Sequence, residues 1–105
     1  MSDDKAYRFH PLAWQELEEA DSWYLSHSYE VSLDFLNELY AAVEDIARAP
    51  RRWPKYLHGT RRFVMQRFPF SVVYFDDSDL VTIVAVAHSK RRPGYWKDRV
   101  LSALL

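Results

Sequence analysis

The stretch TRRFVMQRFPFSVVYFDDSDLVTIVAVAH, residues 60–88, decides the fold. Its segments 60–67, 70–75 and 80–88 are rich in β-branched and aromatic residues and are too short for most helices. Pro69 separates the first two segments, and the polar run DDSD (76–79) separates the last two. The pattern predicts a three-stranded antiparallel meander. Because the last two strands are apolar on both faces, we expect both faces of the sheet to be covered.

Two amphipathic helices are predicted upstream of the meander. Pro11 suits the first position of a helix, and Ser28 is a predicted N-cap of a second helix that ends near Ala49, before Pro50. In both helices apolar residues recur at spacings of 4, 3 and 4: Ala13, Leu17, Ala20 and Tyr24, then Phe35, Leu39, Ala42 and Ile46. We expect a helical hairpin whose second stripe packs on Val72, Tyr74 and Val84 or their alternating neighbours.

The remaining segments complete an α+β fold. KAYRFH (5–10) alternates as a short strand does, and YWKDRVLSALL (95–105) has helical spacing. PRRWPKYLHG (50–59) and SKRRPG (89–94) are predicted loops. The sequence predicts one domain over residues 1–105: a small antiparallel sheet of about four strands, with the N-terminal hairpin on one face and a short C-terminal helix.

Composition excludes several classes of protein. The chain is 49% hydrophobic and 16% aromatic, which indicates a folded core rather than disorder. It has no Cys for disulfide or thiolate chemistry and only two Gly, too few for a Gly-rich phosphate loop. The four His residues lack ligand-like spacing, so neither metal nor cofactor is predicted. The opening MSDDKAYRFH is not apolar, and no run is long enough to span a membrane, which predicts a cytoplasmic protein without membrane partners.

The charge is divided along the chain. Residues 1–47 carry eleven acids and two bases, whereas residues 48–105 carry twelve bases and four acids. Clustered bases interleaved with aromatics indicate an acidic partner or nucleic acid. The alternative is that each half only solvates its own surface. The acids of the first helix are interpreted as a solvated face rather than a catalytic pair.

Basic and aromatic residues collect near the predicted strand ends. The candidates for binding a target or partner are Arg61, Arg62, Arg67, Lys90, Arg91, Arg92 and Trp96. Guanidinium groups can hold a phosphate bidentately, and aromatic rings can stack on unpaired bases. His88, Arg91 and Tyr95 are the residue types that metal-free RNA cleavage requires, as proton-transfer groups and a phosphate-stabilising cation.

Structural roles are the alternative for several of these residues. Arg62 then pairs with helix carboxylates, Tyr95 and Trp96 pack the last helix, and His88 is a hydrogen-bonded residue at a strand end.

Six segments in this order resemble the RelE/ParE superfamily of toxins from type II toxin–antitoxin systems. They are LxEAxxWY (17–24), FLNEL (35–39), PxxWP (50–54), TRRF (60–63), RFPFSVVY (67–74) and AVAHSKRRPGYW (85–96). The resemblance covers about residues 7–100. It implies a small antiparallel sheet with a helical hairpin, and neutralisation by a cognate antitoxin whose C-terminal segment wraps the toxin, often over its basic face.

The superfamily divides in function, and the resemblance implies two candidate activities. RelE-like members cut mRNA on the ribosome, and Arg91 and Tyr95 match two of their functional positions. Ser71, however, stands where those ribonucleases have Arg, and FVM (63–65) replaces expected basic residues. ParE-like members inhibit DNA gyrase by binding, and the RRFPFSVVY and AVAH segments are more similar to theirs. The resemblance therefore favours a ParE-like toxin with gyrase as the candidate target.

Two alternatives remain at this point. One is a RelE-like, ribosome-dependent endoribonuclease. The other is a non-toxic module that binds nucleic acid or protein through its basic face. A homodimer and a toxin–antitoxin hetero-oligomer are both compatible with the sequence.

Overall fold

The computed structural model describes residues 4–104 and has one four-stranded sheet with helices on both faces. The elements in chain order are β1 (Ala6–Phe9), α1 (Pro11–Leu25), α2 (Tyr29–Arg48), a single 3-10 turn (Leu57–Gly59), β2 (Arg61–Val64), β3 (Phe70–Asp76), β4 (Leu80–His88) and α3 (Lys97–Leu104). The strand order is β1-β4-β3-β2. The predicted α+β class, the helical hairpin and the short C-terminal helix are confirmed.

The sheet is mixed, so the expectation of antiparallel pairing throughout is wrong at one edge. β2, β3 and β4 form the predicted antiparallel meander. β1 instead runs parallel to β4, with Ala6 beside Leu80 and Phe9 beside Ile83. A helical connection after β1 permits parallel pairing, which a tight hairpin turn does not. The alternation of a four-residue strand is the same for both directions, so the sequence pattern cannot distinguish them.

The two long helices begin where their caps predict. Pro11 is at the first position of α1, and the preceding His10 accepts the Leu12 N–H at its Nδ1, 3.1 Å away. Ser28 has an extended backbone, and its hydroxyl accepts the Val31 N–H at 3.3 Å. Each cap satisfies an amide that has no partner within its helix. The break between α1 and α2 is therefore fixed locally.

The inner core lies between the helical hairpin and one face of the sheet. Phe35, Leu39 and Ile46 of α2 are completely buried, as predicted, in one cluster with Val72 and Tyr74 of β3 and Ile83 of β4. The Tyr74 hydroxyl donates to the Pro50 carbonyl at 2.6 Å, so its polar end is satisfied.

A β-bulge places Val84 on the outer face. Val73 pairs with Ala85 and Tyr74 pairs with Ile83, so β4 has one extra residue, Val84, between them. Val84 therefore packs in an outer cluster with Trp96 and not against the hairpin; the alternating neighbour Ile83 takes the inner position. The outer cluster also contains Val73, Ala85 and Val100. Both faces of the central strands are thus covered, as expected.

Two predicted boundaries differ from the structure by more than one residue. β2 ends at Val64, not at residue 67, because the amides of Gln66 and Arg67 both donate to Glu38 of α2, at 2.6 and 3.2 Å. The last helix begins at Lys97, two residues later than predicted. None of the helices within residues 4–104 is long and apolar enough to cross a membrane.

Candidate functional site

A small pocket of about 90 Å³ lies on the outer face of the sheet, where β4 ends. We call it the outer pocket. Residues from three strands, from the basic loop and from the segments just before β2 and before α3 line it: Tyr56, Arg62, Ser71, Val73, Ala87, His88, Ser89, Arg91, Arg92, Pro93, Tyr95 and Trp96. It thus brings together Arg62, His88, Arg91, Arg92 and Tyr95, which the sequence had marked as candidates from separate elements.

Gly94 shapes the turn that carries the basic loop back to the sheet. Its φ is +82°, a left-handed backbone conformation that is strained in residues with a side chain. A Cβ there would also lie 3.2 Å from Nε2 of His58. The ring of His58 packs edge-on against Trp96, with centroids 5.8 Å apart. The turn therefore packs the basic loop closely against residues 57–59.

Arg61 and Arg62 lie on opposite faces of the sheet, as successive residues of a strand do. Arg62 stands over the Tyr56 ring, 4.1 Å from its centroid, and lines the outer pocket. The guanidinium of Arg61 donates to the Trp53 carbonyl at 2.7 Å. Arg62 therefore makes a cation–π contact rather than pairing with a helix carboxylate, and Arg61 is not part of the outer pocket.

Arg67 is also outside the outer pocket. It forms an ion pair with Asp34 of α2, with nitrogen and oxygen 3.2 Å apart, and both side chains are largely exposed. The predicted basic surface is thus divided between two sides of the molecule.

His88 closes β4 and orders the start of the basic loop. Its Nδ1 accepts the Lys90 N–H at 3.0 Å, and its ring packs edge-on against Phe70. This agrees with the hydrogen-bonded strand-end role that the sequence left open. Lys90 and Arg92 are exposed, and neither side chain forms an ion pair within residues 4–104. Arg62 also forms no ion pair within that range, so Arg62 and Arg92 are both available to bind an anion in the outer pocket.

A half-buried residue, Glu16 of α1, holds the inner side of the basic loop through its carboxylate. Its oxygens accept the Tyr95 hydroxyl at 2.6 Å and the Arg99 guanidinium at 2.8 and 3.1 Å. Glu16 also accepts the Val86 N–H at 3.0 Å and lies 3.5 Å from Arg91. Only 11% of its side chain is exposed, so the interpretation of the first-helix acids as a solvated face is wrong for this residue.

The contacts around Glu16, which we call the Glu16 network, include two of the groups that RNA cleavage would use, Arg91 and Tyr95. The guanidinium carbon of Arg91 lies over the Tyr95 ring, 3.7 Å from its centroid. Burial, and then the hydrogen bond to Glu16, raise the pKa of Tyr95 well above its usual range. A phenol with a raised pKa, already donating to a carboxylate, is a poor proton donor to a leaving group.

Trp96 is placed in the outer core. Only 1% of it is exposed, and it packs with Val73, Val84 and Val100, which confirms the predicted packing role. Trp96 also lines the outer pocket, and its role as a contact for a target or antitoxin stays a prediction.

Glu16 and Arg99 are the residues that sequence reasoning missed. Both have helical positions and charges typical of a solvated surface, so no local pattern marks them. Only an indirect signal pointed to them. β1 is too short to pair with the second half of β4, so the backbone groups there need side chains as hydrogen-bond partners. Arg99 donates to the Val84 carbonyl at 3.0 Å, and Glu16 accepts from Val86. Within residues 4–104 no group of three His, Asp or Glu side chains could hold a metal ion.

Comparison with known proteins identifies a family and a similar solved structure. Residues 7–93 match the family model for the ParE toxin of the type II toxin–antitoxin system parDE. A solved structure described as the chromosomal ParDE TA system from P. aeruginosa has a similar fold, with a TM-score of 0.72 and 16% sequence identity. The similarity covers 85% of this chain and 100% of that chain. No curated protein matches.

Proposed function

The chain belongs to the ParE toxin family of type II toxin–antitoxin systems, and on that basis we propose that it inhibits growth by binding a cellular target, with DNA gyrase as the candidate, and is neutralised by a cognate antitoxin. The binding surface is the outer pocket and the basic loop that borders it, residues 89–94.

One observation supports binding over cleavage. The Tyr95 hydroxyl donates to Glu16 at 2.6 Å, and Arg91 lies over the Tyr95 ring. Two of the three proposed catalytic groups therefore already have partners within the chain. The Nδ1 of His88 already accepts a hydrogen bond from the Lys90 N–H. Arg62 and Arg92 face the pocket without an acidic partner among the described residues. Fixed cations on a solvent-facing pocket suit recognition of an anionic surface.

The test adds purified protein to gyrase supercoiling reactions and, separately, to translating ribosomes. Inhibited supercoiling with intact mRNA is the expected result. Cut mRNA with unaffected gyrase would establish the RelE-like ribonuclease instead, and inactivity in both assays would favour the non-toxic binding module.

Variants of the outer pocket sharpen this test. Arg62→Ala with Arg92→Ala should abolish target inhibition, because it removes the cations that face the pocket. Tyr95→Phe should retain most inhibition, since the hydroxyl that it removes donates to Glu16 and does not face the target. Arg48→Ala is the matched control, because the only ion pair of Arg48 among residues 4–104 is with Asp45 at the end of α2. A ribonuclease would show the opposite order, with Tyr95→Phe inactive.

Neutralisation is tested by inducing the chain alone and then together with the product of a neighbouring short reading frame. We expect growth arrest in the first case and rescue in the second. If this product does not relieve the growth arrest, it is not the antitoxin of this chain.

A further inference from the structure

A second pocket, of about 240 Å³, lies between the end of β1 and α3. We call it the β1 pocket. Residues from β1, the start of α1, β4 and α3 line it: Arg8, Phe9, His10, Pro11, Thr82 and Ser102. It shares no residue with the outer pocket, and no Asp or Glu among residues 4–104 lines it. The β1 pocket is therefore a separate site, and its lining contains a cation without an acid.

Arg8 is the cation of this pocket. Phe9 and Ile83 belong to the inner core, so the neighbouring residues Arg8 and Thr82 point to the outer face of the sheet. The Nε of Arg8 donates to the Thr82 hydroxyl at 3.2 Å. None of the ion pairs among residues 4–104 includes Arg8. The bond at Nε orients the guanidinium and leaves its two terminal nitrogens able to hold oxygens of an anion.

Two neutral groups add donors beside Arg8. The Thr82 hydroxyl accepts the bond from Arg8 and can still donate its own proton, and Thr82 is only 4% exposed. The Nδ1 of His10 accepts the Leu12 N–H at 3.1 Å, which places the proton of the neutral ring on Nε2. The pocket therefore combines a guanidinium, a hydroxyl and an imidazole N–H.

The charges around His10 favour an anion in this pocket. After burial, Arg99 and Arg8 are the causes that lower the pKa of His10, and Glu16 opposes them as the smallest cause. Arg99 is already paired with Glu16 at 2.8 Å. The positive charge that this pocket offers to a ligand is therefore mainly that of Arg8.

The donors suit a phosphate better than a carboxylate. They come from β1, from the residue before α1 and from β4, so they do not belong to one planar group. A carboxylate has two oxygens in one plane, whereas a phosphate monoester has three free oxygens and a charge of about −1.5 to −2 at neutral pH. A phosphodiester of a nucleic-acid backbone has only two free oxygens and a single charge. The monoester therefore matches the three donor groups best.

We propose that the β1 pocket binds a phosphate monoester, whose free oxygens accept hydrogen bonds from the terminal nitrogens of Arg8, the Nε2 of His10 and the Thr82 hydroxyl. This inference goes beyond the proposed function, because the pocket shares no residue with the outer pocket. Inhibition of gyrase and binding of phosphate can therefore each fail without the other.

NMR titration of the full-length chain with inorganic phosphate, at constant ionic strength, tests the site. The signals of the Arg8 Nε–H and of the Thr82 amide should shift and saturate. Acetate should bind at least about tenfold more weakly, since it offers fewer oxygens and less charge. Absence of a saturable shift at Arg8 would overturn the proposal. Equal or tighter binding of a short DNA duplex without terminal phosphates would assign the pocket to a nucleic-acid backbone instead.

Variants separate this site from other basic groups. Arg8→Gln should weaken phosphate binding at the Thr82 signal by at least about tenfold, because it removes the charge-assisted bonds. Arg48→Gln, the same change on an exposed ion pair at the end of α2, should leave the affinity within about twofold. Arg62→Ala with Arg92→Ala should also leave it unchanged. Circular dichroism checks that the variants are folded. Equal effects of Arg8→Gln and Arg48→Gln would overturn the assignment of Arg8.

The titration of His10 provides a second readout. A bound phosphate stabilises the imidazolium against the charges of Arg8 and Arg99, so the pKa of His10, measured by NMR, should rise when phosphate is added. This rise should be lost in Arg8→Gln, in which phosphate no longer binds. If the pKa of His10 does not change at saturating phosphate, the phosphate does not lie beside the ring and the proposed set of donors is wrong.

Discussion

Glu16 shows how many distant parts of the chain one largely enclosed carboxylate can connect. It joins α1 to β4, to Tyr95 and to Arg99, residues that are 70 or more positions away in sequence. Arg99 is nearly as buried as Glu16, with 12% of its side chain exposed. Removing one member of a buried ion pair leaves the other charge without compensation, which is more harmful than losing an exposed pair.

We therefore expect Glu16→Gln to lower the free energy of unfolding by about 3 kcal/mol. Gln keeps the shape of the side chain but not the charge that balances Arg99. Glu19→Gln is the matched control, because Glu19 is exposed and its one hydrogen bond with the described residues comes from Gln15; its effect should be within about 0.5 kcal/mol. Urea unfolding measures both. Similar values for the two variants would mean that the Glu16 network does not stabilise the fold.

His10 makes the start of α1 sensitive to acid. Its Nδ1 must stay unprotonated to accept the Leu12 N–H, and burial, Arg99 and Arg8 lower its pKa below the ordinary value of 6.5. As the pH falls through 6.5, the unfolded chain binds this proton before the folded chain does, so folding loses stability. His10→Asn keeps an N-cap acceptor without this titration.

Urea unfolding at pH 7.5 and pH 5.0 checks this expectation. The loss of stability on acidification should be smaller in His10→Asn than in the original chain. Other groups titrate in the same range, so the comparison is the difference between the two chains. An identical loss in both would exclude His10 as a contributor.

At the scale of elements, the outer core depends on a few residues. Trp96 and Val100 close the face of the sheet that the hairpin leaves open, and they do so beside the bulge at Val84. Trp96→Ala should therefore cost about 3–5 kcal/mol, as a buried aromatic does. Leu101→Ala, in the same C-terminal segment but 62% exposed, should cost less than about 0.5 kcal/mol. Thermal unfolding distinguishes them, and a small effect of Trp96→Ala would show that the outer layer is dispensable.

The elements also show which parts of the fold could be predicted. The helices followed from the spacing around Phe35 and from the caps at Pro11 and Ser28, because these signals act within a few residues. The direction of β1 and the bulge at Val84 did not follow, because each depends on the register between strands that are distant in sequence. The alternation of side chains carries no information about strand direction.

The candidate site was predictable in part for the same reason. His88, Arg91, Arg92 and Tyr95 were found because they are neighbours in sequence and reach one pocket. Arg61 and Arg67 were assigned to that surface from sequence alone, and the structure places them elsewhere. Glu16 could not be recognised, since its partners are brought to it only by the complete fold.

At the scale of the whole molecule, the divided charge acts partly within the fold. Lys5 of the acidic half pairs with Asp76 of the basic half at 2.6 Å. Asp34 pairs with Arg67, and Glu16 pairs with Arg99 and Arg91. The two halves are therefore attracted to one another on folding, as well as to partners. Arg62, Lys90 and Arg92, which form none of these ion pairs, lie at and beside the outer pocket.

These uncompensated cations should steer an acidic antitoxin toward the toxin. Salt shortens the reach of exposed charges to a Debye length of about 3 Å at 1 M, against about 10 Å at 0.1 M. The association rate constant, measured by stopped-flow fluorescence, should therefore fall about tenfold or more between 50 mM and 500 mM salt, with a much smaller change in dissociation. Arg62→Ala with Arg92→Ala should flatten this dependence. Arg67→Ala should flatten it less, because Arg67 is already paired with Asp34. An association rate indifferent to salt would show that the basic surface does not guide docking.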